Sequence, residues 1–217
     1  MVDCLNPFLK KLITRIKPIF EDANGAHDFY HTLRVRKLAR HIARVEGADL
    51  SVVEPAALLH DIARAEEDRS SGGICHAREG AIRARKILSE LGVDPSRIDH
   101  VCRCIRTHRY RRHRTPQSLE ARVLFDADKL DSIGACGIGR AFLFAGAIGA
   151  TLHIPRHDIS GSRPYTPQDT AYREYRVKLR HVRDRMMTAE GRRMAQKRHA
   201  FMETFFRELE REVTARR

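Results

Sequence analysis

The chain is expected to be all-α, and three observations predict that class. No short run alternates apolar and polar residues in the way a half-buried strand does. Apolar residues recur at helical spacing through almost the whole sequence. Proline, glycine and asparagine interrupt that spacing where helices should stop.

The elements follow in order. Leu5 to Phe20 is a first amphipathic segment, closed by Pro18 and the Asn24-Gly25 turn signal. A second helix is expected from about His27 to Glu46, with Val35, Leu38, Ile42 and Val45 on one stripe and Gly47 at its end. A third is expected from Ser51 to Glu66, with Pro55 in its first turn, where proline is tolerated. Residues 67–75 read as a polar Gly-Ser loop. Helices follow over about 76–91 and 95–108, separated by Gly92 and Pro95. Residues 109–117 form a basic connection. A long helix opens near Ser118, a suitable N-cap with Glu120 in the first turn, and continues into a glycine-rich apolar stretch. Residues 153–168 hold three prolines and a glycine and read as loop. Two last helices cover about 169–187 and 190–214, the final one with Met194, Phe201, Met202, Phe205 and Leu209 as its apolar face.

At 217 residues, without repeats or a low-complexity linker, the chain reads as one domain over 1–217, with the helices of about 169–215 packing on the rest. The formal charge of +13 favours anionic partners: nucleotides, polyphosphates, nucleic acid or acidic lipid. Arginine, the better fork for phosphate oxygens, greatly outnumbers lysine. Five cysteines without a CxxC pair argue against a disulfide framework and for a reducing, cytoplasmic setting. Residues 1–20 carry no signal peptide. Ile133 to Leu152 is about long enough to span a bilayer, but Arg140 and five glycines interrupt it, so a buried helix is expected and no membrane.

Three His-Asp doublets raise the question of chemistry: His27-Asp28, His60-Asp61 and His157-Asp158. The last lies in a Pro-Gly loop with nothing to orient a ligand, and reads as a solvated pair. His60-Asp61 follows the apolar run AALL, and His31 points along the inward stripe of the preceding helix. In FDADKLD, Asp128 can face inward, Asp131 can bond a ligand from behind, and Asp126 is expected in solvent. Three helices thus offer His31, His60, Asp61 and Asp128, a set suited to a borderline-to-hard divalent ion: Mn, Ni, Co, Fe or Zn, with Mg also admissible.

With those residues in order, HDFYHTLRV, AALLHDI and DADKLDSIGACGIGRAF together resemble the HD-domain superfamily, specifically its metal-dependent phosphohydrolases of the YedJ/YpgQ type. The resemblance covers about residues 20–150, the expected core of the domain. It implies an all-helical HD-type bundle and hydrolysis of phosphate esters or anhydrides, of nucleotides in some members. It implies His31, His60, Asp61 and Asp128 as metal ligands, with His27 at the rim within reach of substrate. His76 and His108 match positions that either hold a second metal through Asp61 or touch the phosphate; helix-end histidines facing solvent are the plainer reading. One ion is expected and two are open.

The expected function is therefore a phosphohydrolase acting on nucleotides or similar small phosphorylated compounds through metal-activated water. Asp61 orients that water, and Arg64, one turn on, holds phosphate oxygens. Lys129 does likewise or is simply surface. Arg109 belongs to the basic run RTHRYRRHR, residues 106–114, which either holds a phosphate tail or is a solvated loop. Two alternatives stand: a di-iron HD-fold oxygenase needing His76 and His108, and a non-catalytic basic module binding nucleic acid, disfavoured for want of a nucleic-acid motif. Substrate, physiological metal, scissile bond and oligomeric state are not legible.

Overall fold

The computed structural model describes residues 6–21, 28–70, 73–109, 115–154, 159 and 161–215. Among them the chain is helical, with no strand, as expected. The chain divides into two compact units, Met1–Asp128 and Lys129–Arg217.

In the first unit, α1 (Pro7–Ile16) is N-capped by Asn6, whose side chain accepts from the Leu9 N–H at 2.8 Å. A 3-10 turn over Lys17–Phe20 continues it. α2 (Phe29–Glu46) is capped by Asp28, which accepts from the His31 N–H at 2.7 Å, and stops at Gly47 with φ +78°. That left-handed conformation costs glycine little and other residues more. α3 (Leu50–Leu59) is buried from Val52 to Leu59. It packs against α2 and against α6 (Pro95–Thr107), which in turn packs on α5 (His76–Glu90). The short α4 (Arg64–Arg69) lies between α3 and α5 in sequence. α7 (Leu119–Asp131) begins in the first unit and ends in the second.

Between α2 and α3 the Arg36 guanidinium donates to Glu54 at 2.8 Å, with the two side chains only 3% and 10% exposed. A charged pair so far out of water has to be held in one geometry, and it sets the register of two helices that carry site residues.

The second unit contains the end of α7, α8 (Gly134–Ala147), α9 (Ala171–Val177), two 3-10 turns over Leu179–His181 and Arg183–Arg185, and α10 (Ala189–Thr214). α8 packs on α9 and α10. Phe206 of α10 stacks on Tyr175 of α9, with ring centroids 4.3 Å apart. Gly137 is required where it stands: a Cβ there would lie 2.2 Å from the Ser132 carbonyl oxygen.

Several expectations need correction. The helix expected over 51–66 is two helices, because His60 Nδ1 takes the Ala57 carbonyl at 2.8 Å and residues 60–63 turn. Pro55 is the sixth residue of α3, past its first turn, so one helical bond is lost inside the helix. The long helix from Ser118 breaks at Ser132-Ile133, where the Ser132 hydroxyl takes the Lys129 carbonyl at 2.6 Å and Gly134 has φ +75°. The segment 169–187 is helical only over Ala171–Val177 and then tightens into 3-10 turns. Val45 and Phe201 are exposed, and Phe206 takes the core place on α10. α8 is buried on one face only, with Leu143 in solvent. Among the described residues, no helix is long and apolar enough to cross a membrane.

Candidate metal centre

Five elements of the first unit deliver six side chains to one place. Asp28 fixes the start of α2 so that His31 sits in its first turn. His60 caps the C-terminus of α3, Asp61 follows in the turn, His76 opens α5, His108 caps α6, and Asp128 projects from α7. All but Asp128 are almost completely buried, and its side chain is 13% exposed.

Asp61 is the centre of the arrangement. Its Oδ2 lies 3.6 Å from His31 Nε2 and 3.5 Å from His60 Nε2. Its Oδ1 lies 3.2 Å from His76 Nε2 and 3.6 Å from His108 Nε2. Asp128 Oδ1 completes the first side, 3.7 Å from His31 Nε2 and 3.9 Å from His60 Nε2. Two groups result, His31-His60-Asp128 and Asp61-His76-His108, each close enough to hold a metal ion.

The hydrogen bonds fix which ring nitrogens face inward. His60 Nδ1 donates to the Ala57 carbonyl at 2.8 Å, and His108 Nδ1 to the Ile105 carbonyl at 2.6 Å. His76 Nδ1 donates to Glu67 in a short bond. Each Nε2 therefore carries a lone pair aimed at the aspartates. His60 Nε2 is buried without a hydrogen-bond partner. Burial pushes the His60 imidazole down to about 4 and that of His76 down to about 3, although Asp61 pulls both the other way. Both rings are thus neutral at pH 7, the state a metal ligand needs.

The donor set fits a divalent cation. Buried ring nitrogens and carboxylates converge there, and such groups are costly without a compensating charge. Donors sharing one ion at about 2.1 Å stand about 3.0–3.4 Å apart, a range that His76 already meets with Asp61 at 3.2 Å and His108 at 3.1 Å, while the donors around His31 and His60 stand slightly wider, at 3.5 to 3.9 Å.

One participant was not legible in the sequence. Glu67 accepts from the His76 backbone N–H at 3.0 Å as well as from its ring. Arg109 Nη1 donates to both Glu67 oxygens, at 2.8 and 2.7 Å. Burial would raise the Glu67 carboxyl, but the bonds from His76 and Arg109 outweigh it and bring it down to about 2. In the sequence Glu67 opens a polar stretch, and only its place nine residues before His76 hints at its role.

The other expected site residues are placed as follows. Arg64 opens α4 and pairs with Asp68 at 3.2 Å. Its charge helps keep His76 neutral. Arg109 is engaged by Glu67. Lys129 follows Asp128 directly and is half-buried in the second unit. Asp131 is buried and bonded by Arg140 at 2.9 Å. Asp126, expected in solvent, is fully buried, because α7 is enclosed on nearly every side through residues 123–127. His27, residues 110–114 of the basic run and the doublet His157-Asp158 lie outside the described residues.

The HD domain model matches residues 28–133, a stretch that holds all six cluster residues. The Bacillus subtilis protein YpgQ is 34% identical over 208 residues, spanning 94% of this chain and 93% of YpgQ. The chain belongs to the HD domain family. The crystal structure of YpgQ in complex with ADP matches with a TM-score of 0.75 at 32% identity, over 94% of both chains. An HD-superfamily hydrolase from Bacillus thuringiensis matches with a TM-score of 0.75 at 33% identity, over 95% of this chain and 97% of that one. HD domains are all-α and bind divalent metals, which agrees with the helical architecture and with the two groups around Asp61.

Proposed function

We propose that this chain is a divalent-metal-dependent phosphohydrolase that cleaves phosphate esters or anhydrides of nucleotides or related small phosphorylated compounds. The shared position of Asp61 carries the reading, one oxygen turned to His31 and His60 and the other to His76 and His108. The HD-superfamily hydrolase among its structural neighbours supports hydrolysis, and the ADP held by YpgQ supports a nucleotide.

On this reading His31, His60, Asp61 and Asp128 would hold one ion, and Asp61, His76 and His108 could hold a second. The bound ion supplies a Lewis acid that polarises a phosphoryl oxygen and lowers the pKa of water. The chain's residues do the positioning. Asp61 orients the attacking water. Asp128, the most exposed member, marks the side from which substrate enters. Arg64 would hold phosphate oxygens, with His27, which the family resemblance offers, and Lys129 as further substrate contacts. Arg109 acts through Glu67, which locks the His76 ring with its lone pair toward Asp61. Nitrogen and carboxylate donors without a thiolate suit Mn, Ni, Co, Fe, Zn or Mg. The two units act as one functional domain, and the four described cysteines, none in a disulfide, fit a cytoplasmic setting.

The test is a screen of phosphorylated metabolites against each of these ions, reading released phosphate or pyrophosphate. Hydrolysis of a nucleotide that disappears in Asp61→Asn is expected. Stoichiometric metal binding with no turnover of any phosphorylated compound contradicts the reading. The Asp61-His76-His108 group also gives the second ion site a di-iron oxygenase would need; two irons per chain with visible-region absorbance and no phosphate release would favour that activity.

A further inference from the structure

We infer that a cavity on the outer side of α5 and α6 is a second anion site, separate from the His-Asp cluster, which takes a small compound bearing two or more phosphate groups. The cavity encloses about 550 Å³, within the range of pockets that hold small ligands. Arg78 of α5 and Arg103 and Arg106 of α6 line it, together with Thr107, Gln117 and Ser118.

Every charged group in that lining is positive. Among the described residues, none of the three arginines has a carboxylate within ion-pair distance. Asp99, one turn before Arg103, is engaged by Arg85 at 2.5 Å. The three arginines are exposed along one hollow, where Asp99 reaches Arg103 and Arg106 only through space, and an entering anion would offset their positive charge. Thr107, Ser118 and Gln117 border the same space with side chains already bonded to the Arg103 and Cys104 carbonyls, to His100 and to the Thr115 carbonyl, so the arginines carry the site. Ser118 also accepts from the Ala121 N–H at 3.2 Å, so the positive end of α7 begins at the cavity wall.

The cavity is not the mouth of the cluster. On α6 the buried face carries Val101, Cys104, Ile105 and His108. Arg103, Arg106 and Thr107 lie about 100–160° round the helix from His108. On α5, Arg78 is about 160° from His76. A helix width separates the arginines from the histidines, and no cluster residue lines the cavity. The basic run therefore divides: Arg109 turns to Glu67, Arg106 to the outer hollow. A hollow of this volume suits a compact polyphosphate rather than an extended nucleic-acid backbone. The inference is independent of the metal chemistry proposed above.

The test is calorimetric titration of the full chain, in EDTA, with inorganic tripolyphosphate as the probe. One site per chain is expected, weakened about tenfold or more in Arg103→Gln/Arg106→Gln. It should persist in His60→Ala and in Lys37→Gln/Arg44→Gln, which removes the same charge from an exposed face of α2. Thermal melts verify folding, and Arg78→Gln serves if the double variant does not fold. Equal weakening by the α2 pair, or loss in His60→Ala with the arginine variants unaffected, overturns the inference. So does a single-stranded RNA 12-mer that binds these arginines while tripolyphosphate does not.

Discussion

His76 and His108 turn their Nε2 atoms toward each other at 3.1 Å, while both Nδ1 atoms are already donating, to Glu67 and to the Ile105 carbonyl. With neutral rings so held, both Nε2 lone pairs face each other and Asp61 Oδ1, 3.2 Å from the first and 3.6 Å from the second. A cation placed among them stabilises such a buried convergence of acceptors.

Glu67 is the residue that fixes half of that relationship. Glu67→Gln keeps the shape but lets the amide present a donor to His76 Nδ1, which disturbs the ring tautomer. Affinity for the second of two ions should fall about 10–100-fold, with the first little changed. Competitive titration against a chelating dye reads both; equal loss at both sites, or none, contradicts this role.

Acid should destabilise the metal-free protein over a defined window. In the unfolded chain a histidine titrates near 6.5, whereas burial holds His60 down to about 4 and His76 down to about 3. As pH falls below 6.5 the unfolded chain takes up protons that the folded one refuses, so stability is lost from there down to about 4 and 3 respectively. Each group contributes a slope of up to about 1.4 kcal/mol per pH unit. Urea midpoints in EDTA at pH 7.5, 6 and 5 should decline, less steeply in His76→Gln. Flat midpoints would contradict the burial of neutral rings.

The Arg36–Glu54 pair should be unforgiving of half-removal. Arg36→Met leaves Glu54 between α2 and α3 with the more distant Arg40, 3.9 Å away, as its ion-pair partner, at a cost of up to about 3 kcal/mol. Arg36→Met with Glu54→Leu should recover most of it. Chemical denaturation of the single and double variants measures the difference, and additive losses would show that the pair is not coupled.

Thiol reactivity should follow burial. The Cys104 thiol is pushed up to about 12 by burial and Cys102 is raised for the same reason, whereas Cys136 is exposed. Maleimide labelling followed by peptide mass mapping should find Cys136 modified well ahead of Cys102 and Cys104 in the folded chain. Labelling of Cys104 at a comparable rate would mean that α6 opens readily.

The particular residues explain how far the sequence could be read. His31, His60-Asp61 and Asp128 stood out because polar groups on apolar helical faces have few ordinary explanations. The ends of the helices were harder. α3 stops because the His60 ring captures a carbonyl, and the long helix breaks because Ser132 does the same beside a left-handed Gly134, events set by side-chain geometry rather than by spacing. Asp126 was misjudged because a single stripe was assumed for a helix that is enclosed nearly all round. Glu67 escaped because its role depends on α4 and α5 meeting, which the composition of residues 67–75 does not disclose.

The most direct measurement is an anomalous difference map from crystals grown with Mn²⁺, recorded on either side of the metal edge. A peak within bonding distance of His31, His60, Asp61 and Asp128 is the predicted result, with a second beside His76 and His108 sharing Asp61. A well-ordered cluster with no anomalous density, or an ion bound only elsewhere on the chain, would contradict the account.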